Sequence, residues 1–527
     1  MVPQRRGWTG SVVTQGDMGV SASVPSEEQA EEVRQAWDAS VRRAAAAIAQ
    51  ADVLLLLTGA GWSADSGLAV YKDVADVDAY RSRGLTYGKI CEPRWLEDDS
   101  DLFYGFWGKC FNDYRDAKEH EGYRIVRAWR DQRFTHSKVA DALRARHGTK
   151  AGAFFSFTSN VDAHHARTFG ADEVRECHGN AETWQCSDRQ CSPGRRWAAP
   201  EGFRFAVDAS TCLASASRSP VGRGGQEDGF VGNHPVCPRC GKGLRPSILM
   251  FADDHWIDDA AQKERWRAWR GSVEAQVKAA AAQGQEGERP PLRVAILEVG
   301  AGGNVTTLRQ LAEDFLESVL DNGGEATLIR VNPDLFLADK GYNQQATISL
   351  PGTGLAAVKQ IDAELRALEK LGVAGVQAAE GRPLELATVP TVPRPPKSPP
   401  RKAETSEEEE RARKGGIAPS TPEEMQKVRD VFAAIDTDGS GTLDRDEVAR
   451  AAHELGRWEL LGKALDEAMD KMDADKDGKV DVEEFCAWWE AGGKLSAADR
   501  FELMWAQFNA RFDRVLSGAL DGVAGAR

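Results

Sequence analysis

Short apolar runs that end at small or polar turns recur along the first two thirds of the chain. The run 53–57 stops at Gly59-Ala60-Gly61-Trp62-Ser63-Ala64, the pattern of a buried strand turning sharply into a helix. Residues 153–158 lead into Ser159-Asn160-Val161-Asp162, residues 294–297 into a turn at Gly300-Ala301-Gly302, and residues 327–331 into Asn332-Pro333. Residues 248–251 read as a further apolar strand, its exit crowded by Asp253, Asp254, His255 and Trp256. Between these runs lie helical patterns. Ser26 and Gln29 form a capping box that opens a helix through Ala49, and further helices are predicted within 271–291 and over 306–320. Repeated strand, turn and helix predict an α/β fold, a doubly wound Rossmann-like parallel sheet. From Tyr71 to Asn112 the chain is aromatic-rich and irregular, becoming helical from about Tyr104. It reads either as a lid-like module beside the first turn or as peripheral helices flanking the core.

The last third changes character. Residues 381–419 hold eight prolines and an acidic run, Glu407 to Glu410, the composition of an extended solvated linker. Beyond it, Thr421-Pro422-Glu423-Glu424 is a capping box with proline at the first helical position. Phe501, Trp505, Phe508, Phe512 and Val515 then recur at steps of four and three, one apolar helical stripe. The predicted domains are therefore a leader over 1–25, an α/β domain over 26–375, a linker over 376–420, a third module over 421–492 and an amphipathic helix over 493–527.

Charge and cysteine usage narrow the chemistry. At 527 residues, with 41% hydrophobic and 28% charged positions, several globular domains are expected. The net charge of −15 disfavours a general nucleic-acid surface, and no apolar run approaches a membrane span. The leader lacks the apolar core of a secretory signal and reads as disordered, with a mitochondrial transit peptide as the alternative. Cys186 and Cys191 pair with Cys237-Pro238-Arg239-Cys240 as two knuckles able to give four thiolates to a structural zinc. The 45 residues between the knuckles read as a loop insertion, with Cys212 a spare thiol. Metal-bound thiolates and scattered lone cysteines suit a reducing compartment, the cytoplasm or nucleus.

Two loops in the tail carry calcium chemistry. Asp436, Asp438, Ser440, Thr442 and Glu447 in the first, and Asp473, Asp475, Asp477, Lys479 and Glu484 in the second, fill the ligand positions of twelve-residue loops with Gly441 and Gly478 at the sharp turn. Position 7, Thr442 or Lys479, offers its backbone carbonyl. The loops begin 37 residues apart, and Leu443 and Val480 at position 8 are expected to face each other. This region resembles the EF-hand family, an all-α calcium-binding domain. Residues 421–527 carry 24 acids against 14 Lys and Arg, so most of the net charge belongs to this module. Calcium-opened EF-hand pairs bind amphipathic helices, so helix 496–520 is expected either to dock in the pair's own groove or to be a constitutive core helix.

In the front domain, Gly59-Ala60-Gly61 begins as a generic dinucleotide pattern without the acidic partner about 20 residues on. Asn160 and Asp162 stand just past a strand's carboxyl end, where open α/β sheets bind ligands. His178 before Gly179 is a candidate general base. Taken in order, Gly59-Ala60-Gly61-x-Ser63 with Ser66-Gly67, Ser159-Asn160-Val161-Asp162, Cys177-His178-Gly179, the cysteine pairs, Leu244-Arg245-Pro246, Gly300-Ala301-Gly302 and Val331-Asn332 resemble the sirtuin family of NAD-dependent protein deacylases, most of all its bacterial type.

The resemblance implies a role for each matched position. Gly59, Ala60, Gly61, Ser63, Ser66, Gly67, Tyr71 and Lys72 would cradle NAD. Ser159, Asn160 and Asp162 would hold its nicotinamide ribose and carboxamide, and Gly300, Ala301, Gly302 and Asn332 its adenosine half. His178, with Asn160, would be catalytic, and Ile248, Leu249, Met250 and Phe251 would pair with an acyl-lysine peptide. A zinc module over about 178–247 would brace the smaller domain. The chain departs from the family after Leu68, where Ala69-Val70-Tyr71-Lys72 replaces Pro-Asp-Phe-Arg, and Asp253 replaces a Glu. The expectation is a deacylase with a calcium-binding tail. The alternatives are an NAD- or acyl-lysine-binding relic, and a calcium sensor using the front domain as scaffold.

Overall fold

The computed structural model describes residues 24–70, 77–148, 150–188, 190–191, 194–222, 224–251, 253, 255–285, 291–303, 305–371, 389 and, in the tail, 429, 432, 436, 440–445, 447–448, 469 and 472–490. The leader, the linker and helix 496–520 lie outside the described residues. The chain divides into two compact units, the larger spanning Ala22–Lys397.

The strands of the larger unit are β1 Val53–Thr58, β2 Phe154–Thr158, β3 Val174–Glu176, β4 Gly179–Cys186, β5 Arg196–Ala198, β6 Leu244–Ile248, β7 Arg293–Val299, β8 Glu325–Val331 and β9 Thr347–Leu350. Six form one sheet in the order β3-β2-β1-β7-β8-β9, every pair parallel. The chain builds outward from β1 in one direction through β2 and β3, and in the other through β7, β8 and β9. The order reverses between β1 and β7, so a crevice opens there at the strands' carboxyl ends. Every residue of β1 is buried, which explains why it reads as an unbroken apolar run rather than an alternation.

Helices Trp37–Gln50, Glu121–Trp129 and Gly354–Leu371 pack together, and so do Lys138–His147, Ala260–Gln285 and Thr307–Asp321. The capping box at Ser26 is present, with Gln29 N donating to Ser26 Oγ at 3.2 Å and Ser26 N to Gln29 Oε1 at 2.9 Å. The predicted single helix through Ala49 is broken, because Ala36 leaves helical geometry and divides Glu27–Gln35 from Trp37–Gln50. The helix predicted from residue 271 begins at Ala260. β9 and helix Gly354–Leu371 complete the sheet beyond the elements expected from the sequence.

A second hydrophobic core forms a smaller domain around the antiparallel sheet β5-β4-β6. Helix Ser100–Asp116 contributes Phe103, Tyr104, Phe106 and Phe111, which meet Trp184, Phe203, Phe205 and Phe230. The aromatic segment 77–112 is therefore neither a lid nor a flank of the main core. Its aromatics are the smaller domain's interior. The insertion between the knuckles is likewise more than a loop: it supplies β5 and buries Phe203, Phe205, Cys212 and Phe230. Residues 248–251 are not a strand of the parallel sheet. β6 ends at Ile248, antiparallel to β4.

A buried ion network locks β7 to β8 beneath the loops that follow them. Arg330 lies 2.9 Å from Glu298 Oε2 and 3.1 Å from Glu313 Oε1, and donates to the Leu337 carbonyl at 2.8 Å. Arg309 grips Asp339 with two bonds of 2.7 and 2.8 Å. Both guanidiniums are fully buried. Arg330→Ala would strand Glu298 and Glu313 as uncompensated buried charges, so it is expected to cost about 3–5 kcal/mol, read as a drop in the denaturant midpoint.

In the smaller unit, β10 Thr442–Leu443 pairs antiparallel with β11 Val480–Asp481 and sets Leu443 opposite Val480, as the loop spacing predicts. Phe432 and Phe485 pack at 5.6 Å.

Candidate active site and metal centres

The turn after β1 and the turn after β7 close on each other across the crevice. Gly59 N donates to Val299 O at 2.9 Å and Gly61 N to Gly300 O at 3.0 Å. A Cβ at Gly59 would stand 2.6 Å from Gly300 O, and one at Gly61 2.7 Å from Gly300 Cα. Small residues are thus required here for backbone to meet backbone. The Gly61 N–H meets the Gly300 carbonyl here, so Gly61 shapes the turn through close backbone approach. Ala60 begins helix Ala60–Ala64, Ser66 Oγ accepts from His120 N at 3.3 Å, and Gly67 turns the chain at φ 83°.

The loop after β2 is tied to the same turn. Asn160 Nδ2 donates to Gly59 O at 2.9 Å. Ser63 Oγ donates to Asp162 Oδ2, and His164 N to Asp162 Oδ1 at 2.9 Å. Ser159 N reaches Thr58 O at 3.2 Å. Beneath lies a polar cluster that motif reading did not single out. His165 Nε2 meets Thr58 Oγ1 and His165 Nδ1 meets Ser156 Oγ, both at 2.7 Å. Burial pushes His165 down to about 3, so it stays neutral and serves as a fixed strut. Across the crevice, Asn332 Nδ2 donates to Ala301 O at 2.9 Å while its Oδ1 accepts from Asp334 N and Leu335 N. Ala301 is buried and Gly302 half-buried beside it. Of the departing tetrapeptide, Ala69 is exposed and Val70 half-buried; Tyr71 and Lys72 lie outside the described residues.

His178 stands where the chain crosses from β3 of the large sheet to β4 of the smaller domain. Its carbonyl accepts from Leu249 N at 3.0 Å, and Gly179 pairs with Ile248. Burial pushes the imidazole down to about 4, against the opposing pull of a hydrogen bond to the Ser159 backbone. At neutral pH it is an uncharged proton acceptor. Gly179 adopts φ 75°, and a Cβ there would stand 1.8 Å from Ser247 O. Gly179→Ala is expected to cost about 2–5 kcal/mol through left-handed strain and overpacking, read as a lower denaturant midpoint.

Residues 248–251 run alongside. Ile248 and Met250 are buried, and Leu249 and Phe251 half-buried. Their N–H groups are committed: Leu249 N to His178 O, Met250 N to Asp253 Oδ2 at 3.2 Å, and Phe251 N to Cys91 O at 3.2 Å. A peptide pairing with Leu249–Phe251 must therefore use the carbonyls of this edge. Asp253 is held by a buried two-point ion pair with Arg245, which is what the short carboxylate at that position does here.

The four cysteines of the knuckles converge. Their Sγ atoms all lie within 4.8 Å of one another, with Cys186–Cys240 at 3.6 Å and Cys191–Cys237 at 3.8 Å. Four sulfurs at the zinc–thiolate bond length of about 2.3 Å in a tetrahedron stand about 3.8 Å apart, so the set fits zinc with no open position. The turn at Cys237–Cys240 is closed by Gly241 N to Cys237 O at 2.9 Å.

In the tail, carboxylate oxygens of Asp473, Asp475 and Glu484 gather within 4.8 Å of one another. Asp473 Oδ2 accepts from Gly478 N and Asp436 Oδ2 from Gly441 N, both at 2.8 Å. Ser440 N donates to Asp436 Oδ1 at 3.0 Å, and Glu447 Oε2 accepts from Asp444 N at 3.1 Å. Asp477 Oδ1 accepts from Lys479 N at 2.8 Å, and Thr442 lies on β10. These loops are wound for an oxygen-liganded cation; Asp438 lies outside the described residues.

Residues 59–265 match the Sir2 family, and residues 425–490 match the EF-hand domain pair. The chain is similar to an NAD-dependent protein deacylase of Thermus thermophilus, 28% identical over 188 residues, which covers 33% of this chain and 60% of that protein. It is also similar to a calcium-binding protein of Caenorhabditis elegans, 34% identical over 96 residues, covering 18% of this chain and 50% of that one. A solved structure, a Sir2 homologue in complex with NAD, aligns over 62% of this chain and 93% of its own at 18% identity with a TM-score of 0.37. The match to each of these two curated relatives stops short of two thirds of the relative's length. The chain joins a Sir2-family domain over residues 59–265 to an EF-hand pair over residues 425–490.

Proposed function

We propose that this protein is an NAD-dependent protein lysine deacylase that releases nicotinamide and carries a calcium-binding tail. The observation that carries the reading is the meeting of three elements at the crevice: the Ser63–Asp162 bond, Asn160 on the Gly59 carbonyl, and the neutral His178 between the two domains. NAD, as substrate, supplies the ADP-ribosyl group. Asn160 and Asp162 orient its nicotinamide end, and the acyl oxygen of a lysine side chain displaces nicotinamide. His178 takes a proton from a ribose hydroxyl as the acyl group transfers. The two-domain crevice excludes water from the charged ribose that forms as nicotinamide departs. The four thiolates hold zinc as a brace, and the tail loops hold calcium. Four thiolates suited to zinc support a reducing compartment, the cytoplasm or nucleus, with the mitochondrion as the alternative.

A second reading, a protein that binds NAD or acyl-lysine without turnover, is favoured by Val70, which sets an aliphatic side chain where the family has a carboxylate. The decisive experiment is nicotinamide release by the full chain from NAD and an acetyl-lysine peptide, with calcium and with a calcium chelator. Release that requires the acylated peptide is expected. Binding of NAD without release would select the second reading. A turnover that calcium alters would make the tail regulatory, and an unchanged one would make it a buffer or tether.

A further inference from the structure

Three side chains clasp the crossing on which His178 sits. Glu176 ends β3, is buried, and shares its Oε2 between Asn180 Nδ2 at 2.6 Å and Gln262 Nε2 at 3.4 Å. Gln262 returns a bond, its Oε1 accepting from Glu176 N at 2.8 Å. Asn180 is fixed from its other end, with Oδ1 accepting from Glu182 N at 3.0 Å and Thr183 N at 3.1 Å. The clasp therefore spans Cys177-His178-Gly179 and binds β3 and the start of helix Ala260–Gln285 to β4. The other oxygen, Glu176 Oε1, is buried with no hydrogen-bond partner among the described residues. A carboxyl kept in such a place is costly to stability, and a role in the neighbouring site accounts for it.

We propose that Glu176 is a positioning residue for the reaction: through Asn180 it holds His178 in register with the crevice. This rests on the reading of His178 as the base. The crossing has other tethers, Cys177 N on the Thr158 carbonyl at 2.9 Å, Leu249 N on the His178 carbonyl at 3.0 Å and the bond between the imidazole and the Ser159 backbone. The clasp alone joins Glu176 at the end of β3 to Asn180 on β4 by side chains, so without it the backbone that carries the imidazole loses that brace. The nearby charged groups, Asp162, Asp258, Asp259 and Arg175, belong to other pairs: Asp162 to Ser63, Asp259 to Arg196, and Asp258 to Arg175.

Polarity reversal of the clasp tests it. Asn180→Asp keeps an oxygen for the Glu182 and Thr183 N–H groups but turns an acceptor toward Glu176. It is expected to lower kcat about tenfold, the factor of one buried hydrogen bond, with KM for NAD and peptide unchanged. Glu176→Gln alone keeps an acceptor for Asn180 and is expected to lose less than about threefold. The double variant Glu176→Gln/Asn180→Asp restores a donor facing an acceptor, and kcat is expected to recover. Hydrogen exchange of the Leu249 amide follows the same order independently of turnover: faster in Asn180→Asp, protected again in the double variant. Failure of the double variant to recover in both readouts would overturn the proposal. Wild-type protein that releases no nicotinamide would defeat the deacylase reading, while Leu249 exchange would still decide whether the clasp exists.

Discussion

Cys237→Ser is expected to unfold the smaller domain while the parallel sheet stays folded. The reasoning starts from where the thiolates sit. Cys186 ends β4, Cys237 precedes β6, and both are buried in the same core as Trp184, Trp197 and Phe230. That core is separate from the one around β1. Structural zinc sites of this kind supply about 10–16 kcal/mol of apparent binding free energy, as large as the whole net stability of about 5–15 kcal/mol of an ordinary domain. Loss of one ligand should therefore release the β4–β6 pairing, and with it Gly179, Ile248 and the setting of His178. Hydrogen exchange resolves the two halves: amides of β4 and β6 should lose protection and those of β1 and β7 keep it. Zinc content should fall from one per chain. A Cys237→Ser protein with β4 and β6 still protected would show that the smaller domain's aromatic core suffices without the metal.

The parts of this architecture that were legible in the sequence are those whose physics is local. β1, β2, β7 and β8 announce themselves as apolar runs ended by turns, because a parallel strand buried on both faces has no polar side to alternate. The knuckles and the calcium loops are legible because ligand geometry fixes spacing, and the facing of Leu443 and Val480 follows from it. What stayed hidden depends on tertiary partners. Aromatic residues 103–111 have a helical pattern, but nothing local says that they pack on Trp184 and Phe205 rather than beside β1. Gly61 reads the same whether its N–H meets a phosphate or the Gly300 carbonyl.

The buried ion network left a faint signal. Arg330 interrupts an apolar strand, and Glu298 stands one residue before the end of another. A charge inside a buried strand implies a partner, although not which one. The Glu176–Asn180 bond left less. A glutamate two residues before a histidine and an asparagine two after it look like ordinary polar positions until the crossing between β3 and β4 folds them together.

His178→Ala should reduce acyl-peptide-dependent nicotinamide release and product formation by about 10²–10⁴-fold, the usual contribution of a positioned acid–base group. The fold should survive, because the residue is half-buried, and NAD binding by calorimetry should change little. The pH profile gives a sharper test. Burial holds the His178 imidazole down at about 4, so it carries no proton from about pH 5 upward. Its folded value lies below the ordinary one, hence the neutral base is present above about 4 and lost as pH falls through that value. The acid limb of wild-type kcat/KM assigned to His178 should therefore lie near 4, well below the ordinary histidine value of about 6.5. In His178→Ala that limb should vanish from the residual rate. An acid limb near 6.5 that persists in His178→Ala would assign the proton transfer to another group. Undiminished release by the variant would remove His178 from the chemistry and leave the Asn160–Asp162 side of the crevice to account for it.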